Sequence, residues 1–353
     1  MLVGINYPWI NYGWDFGDPP PAWVAPSALA SWREDKRRRI RDDVQAIAAT
    51  GISVLRWFLL ADGANYGIGS TAPQWDAVTD RWQFRPLPAW HPFYRQLGDD
   101  FEFVLQTVAT AGIRIVPSLI DFHWCAPAIV ADARTSIVKG GRADVVLDPA
   151  ARETFLDEVL EPLLAISLRY SEAIYAWELI NEPEWVTSSS IAQQVEEGSI
   201  PTPIMQQFID EGVGRINRQQ LLDGTRAFRS TVGFAHWDTL YQWNSAARGV
   251  TLHQFHYYAQ EARDLPLHRF SPEYPCFVGE FATAEERSWP DLRRAGAPQT
   301  VIERLRCIER KGYPAAFLWS VRAHDPATRW TQVERDDVAS YLRSAAPDSS
   351  IEP

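Results

Sequence analysis

The chain has 353 residues, 46% hydrophobic and 22% charged, which suffices for a large buried core and falls within the range of one α/β barrel with insertions. Its formal net charge of -11 excludes the basic patch that nucleic acid or an anionic membrane surface would need in a main partner, and a neutral substrate fits better. The three cysteines, Cys125, Cys276 and Cys307, are odd in number and have no C-x-x-C spacing, so neither a disulfide framework nor a zinc site is indicated.

The opening residues, MLVGINYPW, show no basic leader and no long apolar run before a small-residue cleavage site, and they read as strand 1, Leu2 to Asn6. No stretch approaches the roughly 20 apolar residues of a membrane span. The expectation is a soluble cytoplasmic protein, or a secreted one if a leader has been removed. A loop rich in proline and aromatics, Pro8 to Pro26, precedes a charged helix over about Ser31 to Thr50. In that helix Ile40, Val44 and Ile47 form the apolar stripe, and the run Arg33 to Asp43 reads as its solvated face. Strand 2, Val54 to Phe58, leads into a long aromatic loop, about Ala61 to Pro92, which reads as a wall beside a site. Helix 2 (about Asp100 to Ala111) and strand 3 (Arg114 to Ile120) follow, the strand ending in D-F-H-W.

Asp148 before Pro149 is a strong helix start, since the aspartate can cap free amides and proline suits the first helical position. That helix runs to about Tyr170 with a kink expected near Pro162. The next stretch, WELINEPEW, is the centre of the chain. Its apolar run from Ile174 to Ile180 reads as buried strand 4, which Pro183 stops because proline cannot donate to a ladder. Alternation puts Glu178, Ile180 and Glu182 on one face and Trp177, Leu179 and Asn181 on the other. Glu178 reads as a structural carboxylate inside the barrel, whereas Glu182 sits at the rim.

Thr202 and Pro203 repeat the helix start signal. Strand 5 is expected at about Phe228 to Val232, strand 6 at Val250 to His256, strand 7 at Cys276 to Glu280 and strand 8 at Ala315 to Trp319. An amphipathic helix, about Gln299 to Lys311, lies between the last two, and a final helix covers about Gln332 to Ser344. Helices after strands 5 and 6 are weak in the sequence. Eight strands alternating with helices, without a linker, predict a single (β/α)8 TIM barrel over 1–353 with long loops at its C-terminal face.

In such a barrel function collects at the strand C-termini. Those ends carry Asn6 and Tyr7, Arg56 and Trp57, Asp121, His123 and Trp124, Asn181 and Glu182, His236 and Trp237, His256 and Tyr258, Glu280, and Trp319 with Arg322. No Gly-rich phosphate loop follows strand 1, so no nucleotide cofactor is expected. A metal would have to use His123, His236, His256 and Asp121, which lack H-x-H or H-E-x-x-H spacing, so no metal is expected either. No G-x-S-x-G elbow supports a serine nucleophile. Trp57 and Trp124 read as packing residues, and Glu184, Glu285 and Glu286 as solvated acids. Many of the 16 tryptophans lie in loop-like segments, where a core does not need them.

N-E-P at the end of strand 4 and V-G-E-F at the end of strand 7 resemble glycoside hydrolase clan A, most of all family 5, which contains cellulases and β-mannanases. The likeness extends in strand order through Arg56, the His123 of D-F-H, Asn181 and Glu182, the H-x-Y of His256 and Tyr258, Glu280 and Trp319. It implies Glu182 as acid/base, Glu280 as nucleophile, Asn181 bonding the sugar 2-hydroxyl, and Arg56 and Tyr258 holding the nucleophile. His123, His256 and Trp319 would contact the sugar, Trp319 offering a flat apolar face to a pyranose. A retaining mechanism needs two carboxyl groups about 5 to 5.5 Å apart. Strands 4 and 7 face each other across the ring; Arg56 is expected to keep Glu280 ionised while Glu182 is raised by that charge.

The expected function is a retaining β-glycoside hydrolase acting on small β-glycosides or oligosaccharides, since polysaccharide is absent from most cytoplasms. The alternatives are an endo-acting β-1,4-mannanase or β-glucanase and, from another class, a catalytically inactive carbohydrate-binding barrel. The sequence leaves sugar, linkage and oligomeric state open.

Overall fold

The computed structural model describes residues 1–66, 73–84, 86–89, 91–132, 137–187, 200–258, 265–268, 275–282, 300–321 and 332–345. Eight parallel strands form a closed barrel: β1 (Leu2–Asn6), β2 (Val54–Phe58), β3 (Arg114–Asp121), β4 (Trp177–Asn181), β5 (Ser230–Phe234), β6 (His253–Tyr257), β7 (Cys276–Ala282) and β8 (Ala315–Trp319). Neighbours in the chain are neighbours in the ring, and β1 closes it by pairing with β8, Leu2 opposite Ala315. This is the (β/α)8 TIM barrel expected. No helix among the described residues is long and apolar enough to cross a membrane.

The helices lie where apolar stripes place them. Leu29–Ala48 buries Ile40, Val44 and Ile47 as read, but Lys36 is buried too. Its ammonium donates to Asp100 Oδ2 at 2.8 Å, so the charged run is not wholly a solvated face. Burying a lysine is tolerable only with such a partner. The second helix starts earlier than expected, at Pro92–Thr110. His91 caps it by accepting from the Phe93 amide and Pro92 takes the first position, a start signal hidden by the aromatics around it.

Asp148 caps Pro149–Phe155 through the amides of Ala150 and Ala151. Ahead of Pro162 the helix widens into a π turn over Leu156–Leu160, which accommodates a proline lacking its amide hydrogen, and resumes as Glu161–Leu168. Thr202–Arg218 begins at the predicted place, but Thr202 lies inside it and makes no side-chain cap. Thr300 and Glu303 form a reciprocal capping box at the head of Val301–Arg310. After β5 there are two short turns, the α-helical Thr239–Gln242 and the 3-10 turn Ser245–Arg248, and no helix is found among the described residues between β6 and β7. The last helix is Gln332–Ala345.

The Ala61 to Pro92 loop carries a hairpin, Gln74–Asp76 with Arg81–Gln83, and a second hairpin pairs Ile129–Asp132 with Ile137–Lys139. Most of the segment from Glu184 to Ile200 lies outside the described residues, as do Gln299, Arg322, Glu285 and Glu286.

Candidate active site

Inside the barrel mouth the strand ends converge on one guanidinium. Arg56, at the centre of β2, is fully buried. Its Nε and Nη2 donate to Glu178 at 2.6 Å each, its Nη1 to Glu280 at 2.5 Å and to Asn6 at 2.8 Å, and its Nη2 also to Asn181 Oδ1 at 2.5 Å. Glu178 further accepts from Ser118 at 2.7 Å and from Gln254. It is therefore the structural carboxylate expected. Asn6 in turn donates to the carbonyls of Gly279 and Leu318, tying this network to β7 and β8. Two glycines leave room for it. A Cβ on Gly233 would come 3.0 Å from Asn181 Oδ1 and 3.1 Å from Arg56 Nη2, and one on Gly279 would collide with Gln254.

Glu280 has both oxygens occupied, one by Arg56 and the other by the Tyr258 hydroxyl at 2.6 Å. Glu182 is held differently. It stands just past β4 in a left-handed backbone conformation, φ +46°, which costs a non-glycine residue about 1 to 3 kcal/mol and takes it out of the strand's alternation. One of its oxygens faces His256 Nδ1 at 2.6 Å and the other accepts from Trp185 Nε1 at 3.0 Å. The Nε2 of His256 lies 3.6 Å from Glu280, so the imidazole stands between the two carboxylates. One oxygen from each glutamate and a ring nitrogen of His256 all lie within 4.8 Å of one another.

Strict alternation fails at the end of β4. A register shift between Glu178 and Asn181 brings Asn181 round to the same interior side as Glu178, where both meet Arg56. The Asn181 amide nitrogen donates to Asp121 Oδ2 at 2.7 Å, and the other oxygen of Asp121 takes the backbone amide of His123 at 2.9 Å and its ring Nδ1. The His123 side chain is 60% exposed and forms part of the rim. Trp319 is half-buried at the end of β8, edge to face with Phe58. Trp57 and Trp124 are fully buried packing residues.

The environments divide the titrating groups. Burial first, then the charge of Asp121, raises Glu182 to about 7. Burial lowers His256 to about 4, so its ring is neutral at ordinary pH. Burial also raises Glu280, against the opposing pull of His256, Arg56 and Tyr258. Arg56 pulls Glu280 down as the sequence suggested, but burial outweighs it and Glu280 stays above the ordinary carboxylate range. Glu184 is a second correction. Only 1% exposed, it accepts from the His236 amide at 3.3 Å, and burial raises it to about 8. The one-turn 3-10 helix Pro183–Val186 folds it inward beneath Glu182, a placement with no signature in the sequence.

Sequence reasoning passed over Gln254 and Trp185 as site members. Each contributes a neutral donor, Gln254 from inside β6 and Trp185 from the 3-10 turn that follows β4.

Glu182, His256 and Glu280 lie close enough together to hold a divalent ion, but all four carboxylate oxygens already take donors or face the imidazole. Among the described residues His123, His236, His256 and Asp121, the possible metal set read from the sequence, supply no three ligand atoms close enough together to hold an ion.

No family model matches the chain, and no curated protein does. Solved structures do. The endo-1,4-β-mannanase of Eisenia fetida superposes with a TM-score of 0.64 at 18% identity, over 97% of this chain and 91% of that one. The β-1,4-D-mannanase of Cryptopygus antarcticus gives 0.65 at 16% identity, over 99% and 92%. The β-mannanase of the blue mussel Mytilus edulis gives 0.63 at 18% identity, over 98% and 92%. The three share this barrel over nearly its whole length.

Proposed function

We propose that the chain is a retaining β-glycoside hydrolase of the family 5 type, with the whole chain as one catalytic unit. The observation that carries this reading is the placement of Glu182 and Glu280, with oxygens within 4.8 Å of each other and with unlike donors. That spacing suits direct attack on the anomeric carbon; an inverting pair stands about 6.5 to 9.5 Å apart to admit a water.

Glu280 attacks C1 while Glu182 gives its proton to the departing oxygen. The neutral His256 accepts a hydrogen bond from protonated Glu182 at Nδ1 and turns its Nε2–H toward Glu280, so the resting proton sits on the group that must deliver it. Water activated by Glu182 then releases the sugar with the configuration it had. Asn181 serves the 2-hydroxyl and Trp319 an apolar sugar face, while His123 offers Nε2 at the rim.

A second reading narrows the substrate to β-1,4-linked mannose. It is favoured by the three solved structures above, all of which are mannanases by description. The test is a panel of aryl β-glycosides differing in sugar, run beside β-1,4-manno-oligosaccharides, with Glu280→Ala as control. Turnover of at least one substrate, abolished in Glu280→Ala, supports the hydrolase. No turnover of any leaves a carbohydrate-binding barrel. Faster cleavage of manno-oligosaccharides than of every aryl glycoside identifies a mannanase. Activity should survive chelation, since no step above uses a metal; a loss on EDTA restored by a divalent ion would place one among Glu182, His256 and Glu280.

A further inference from the structure

Asn181 is an amide whose two ends look alike in shape but not in chemistry. Its Oδ1 faces Arg56 Nη2 at 2.5 Å and its Nδ2 faces Asp121 Oδ2 at 2.7 Å. An arginine can only donate and a carboxylate can only accept, so the amide has a single satisfied orientation. Were Asp121 neutral or absent, the half turn that exchanges oxygen and nitrogen would lose one of its two penalties. Asp121 is itself fixed, for its other oxygen takes two donors of His123, the backbone amide and ring Nδ1. It is buried at the end of β3, directly opposite Asn181 in the ladder. The second Nδ2 hydrogen of Asn181 has no acceptor among the described residues, and it is the one left for a ligand.

We propose that Asp121 is a positioning residue: it locks the Asn181 amide so that one N–H points at the 2-hydroxyl of the bound sugar. The proposal rests on the hydrolase reading above. Asp121 is faced by His123 from its own element, by Tyr12 from the loop after β1, by Cys125 and by Glu182. Glu182 is faced in addition by Arg56 from β2, His236 beyond β5, His256 on β6 and Glu280 on β7. Burial pushes Asp121 up, but hydrogen bonds from His123 and Asn181 and the charge of His123 outweigh it and hold Asp121 below the ordinary carboxylate range, so it is the fixed negative charge of this corner.

The experiment compares a dinitrophenyl β-glycoside of the preferred sugar with its 2-deoxy counterpart, in wild type, Asp121→Asn, Asn181→Ala and the double variant. Hydrogen bonds to the 2-hydroxyl strengthen in the transition state, so wild type should favour the 2-hydroxy substrate by about 10² in kcat/KM. Asp121→Asn should cut that preference at least about tenfold, with the loss falling on the 2-hydroxy substrate, and should move the basic limb of the pH profile to lower pH. Asn181→Ala should remove the preference as well, and the double variant should be no worse than Asn181→Ala, because the two act as one unit. Asp121→Ser is read the same way should Asp121→Asn not fold. A wild-type preference in the Asp121 variants, or losses that multiply in the double variant, overturns the proposal and leaves the hydrolase standing. Failure of wild type on every glycoside overturns both.

Discussion

Glu182 and Glu280 share one desolvated pocket, and what separates them is the donors each faces. Glu280 takes a guanidinium and a phenol, which favour its anion; Glu182 takes an indole N–H and a neutral imidazole, which do not require one. The rate should fall at high pH as Glu182 loses its proton, through about 7. It should fall at low pH as Glu280 gains one, above the ordinary carboxylate range because burial raises it. The profile of kcat/KM on a poor leaving group is then a bell, and Glu182→Gln should erase its basic limb. A limb that persists belongs to another group. Azide tests the assignment further. Glu182→Ala should slow natural substrates by about 10² to 10⁴ and a dinitrophenyl glycoside far less, and on the latter with azide it should yield the β-azide, whereas Glu280→Ala should yield the α-azide. The opposite pairing would exchange the two roles. At this scale the strand-end polar residues were legible because a barrel gathers them. Glu184 and the swing of Asn181 were not, since the first follows Glu182 leaving the strand at positive φ and the second a register shift between Glu178 and Asn181.

Among the elements, β1, β2 and β8 coincide with their predicted spans because each is an apolar run cut off by turn residues. β5 and β6 begin two and three residues later than expected, at Ser230 and His253. Polar Ser230 and Thr231 lie buried in β5 as the predicted strand had them, and Gly233, just past its predicted end, stays in the strand because the Arg56 network leaves no room for a side chain there. The Ala61 to Pro92 loop carries a prediction of its own. Its hairpin pairs Trp75 with Trp82, with Trp75 52% exposed, and Trp82 backs onto Gly141 near the second hairpin. A wall of this kind limits the length of sugar chain that fits on its side. Replacing Gln74–Gln83 with a short turn should raise activity on long oligosaccharides relative to aryl monosaccharides, read as a ratio of kcat/KM. An unchanged ratio means the hairpin does not border the cleft.

For the whole molecule, placing carboxyl groups inside the barrel mouth couples stability to pH. An unfolded chain ionises its glutamates near 4.3, whereas the folded chain keeps protons on Glu182 up to about 7 and on Glu184 up to about 8. Between about 4.3 and 8 these two sites hold more protons in the folded state than in the unfolded one, so their contribution to stability falls as pH rises across that window and levels off above it, while the buried neutral His253 and His256 contribute in the opposite sense below about 6.5. Glu184→Gln keeps the volume and the acceptor for the His236 amide while removing one of these groups. It should match wild type at pH 4 and exceed it at pH 9 by on the order of 1 to 3 kcal/mol. Urea unfolding at a series of pH values measures the difference directly. A gap of equal size at pH 4 and pH 9 would mean that Glu184 ionises alike in both states, and that the turn after β4 does not bury it in solution.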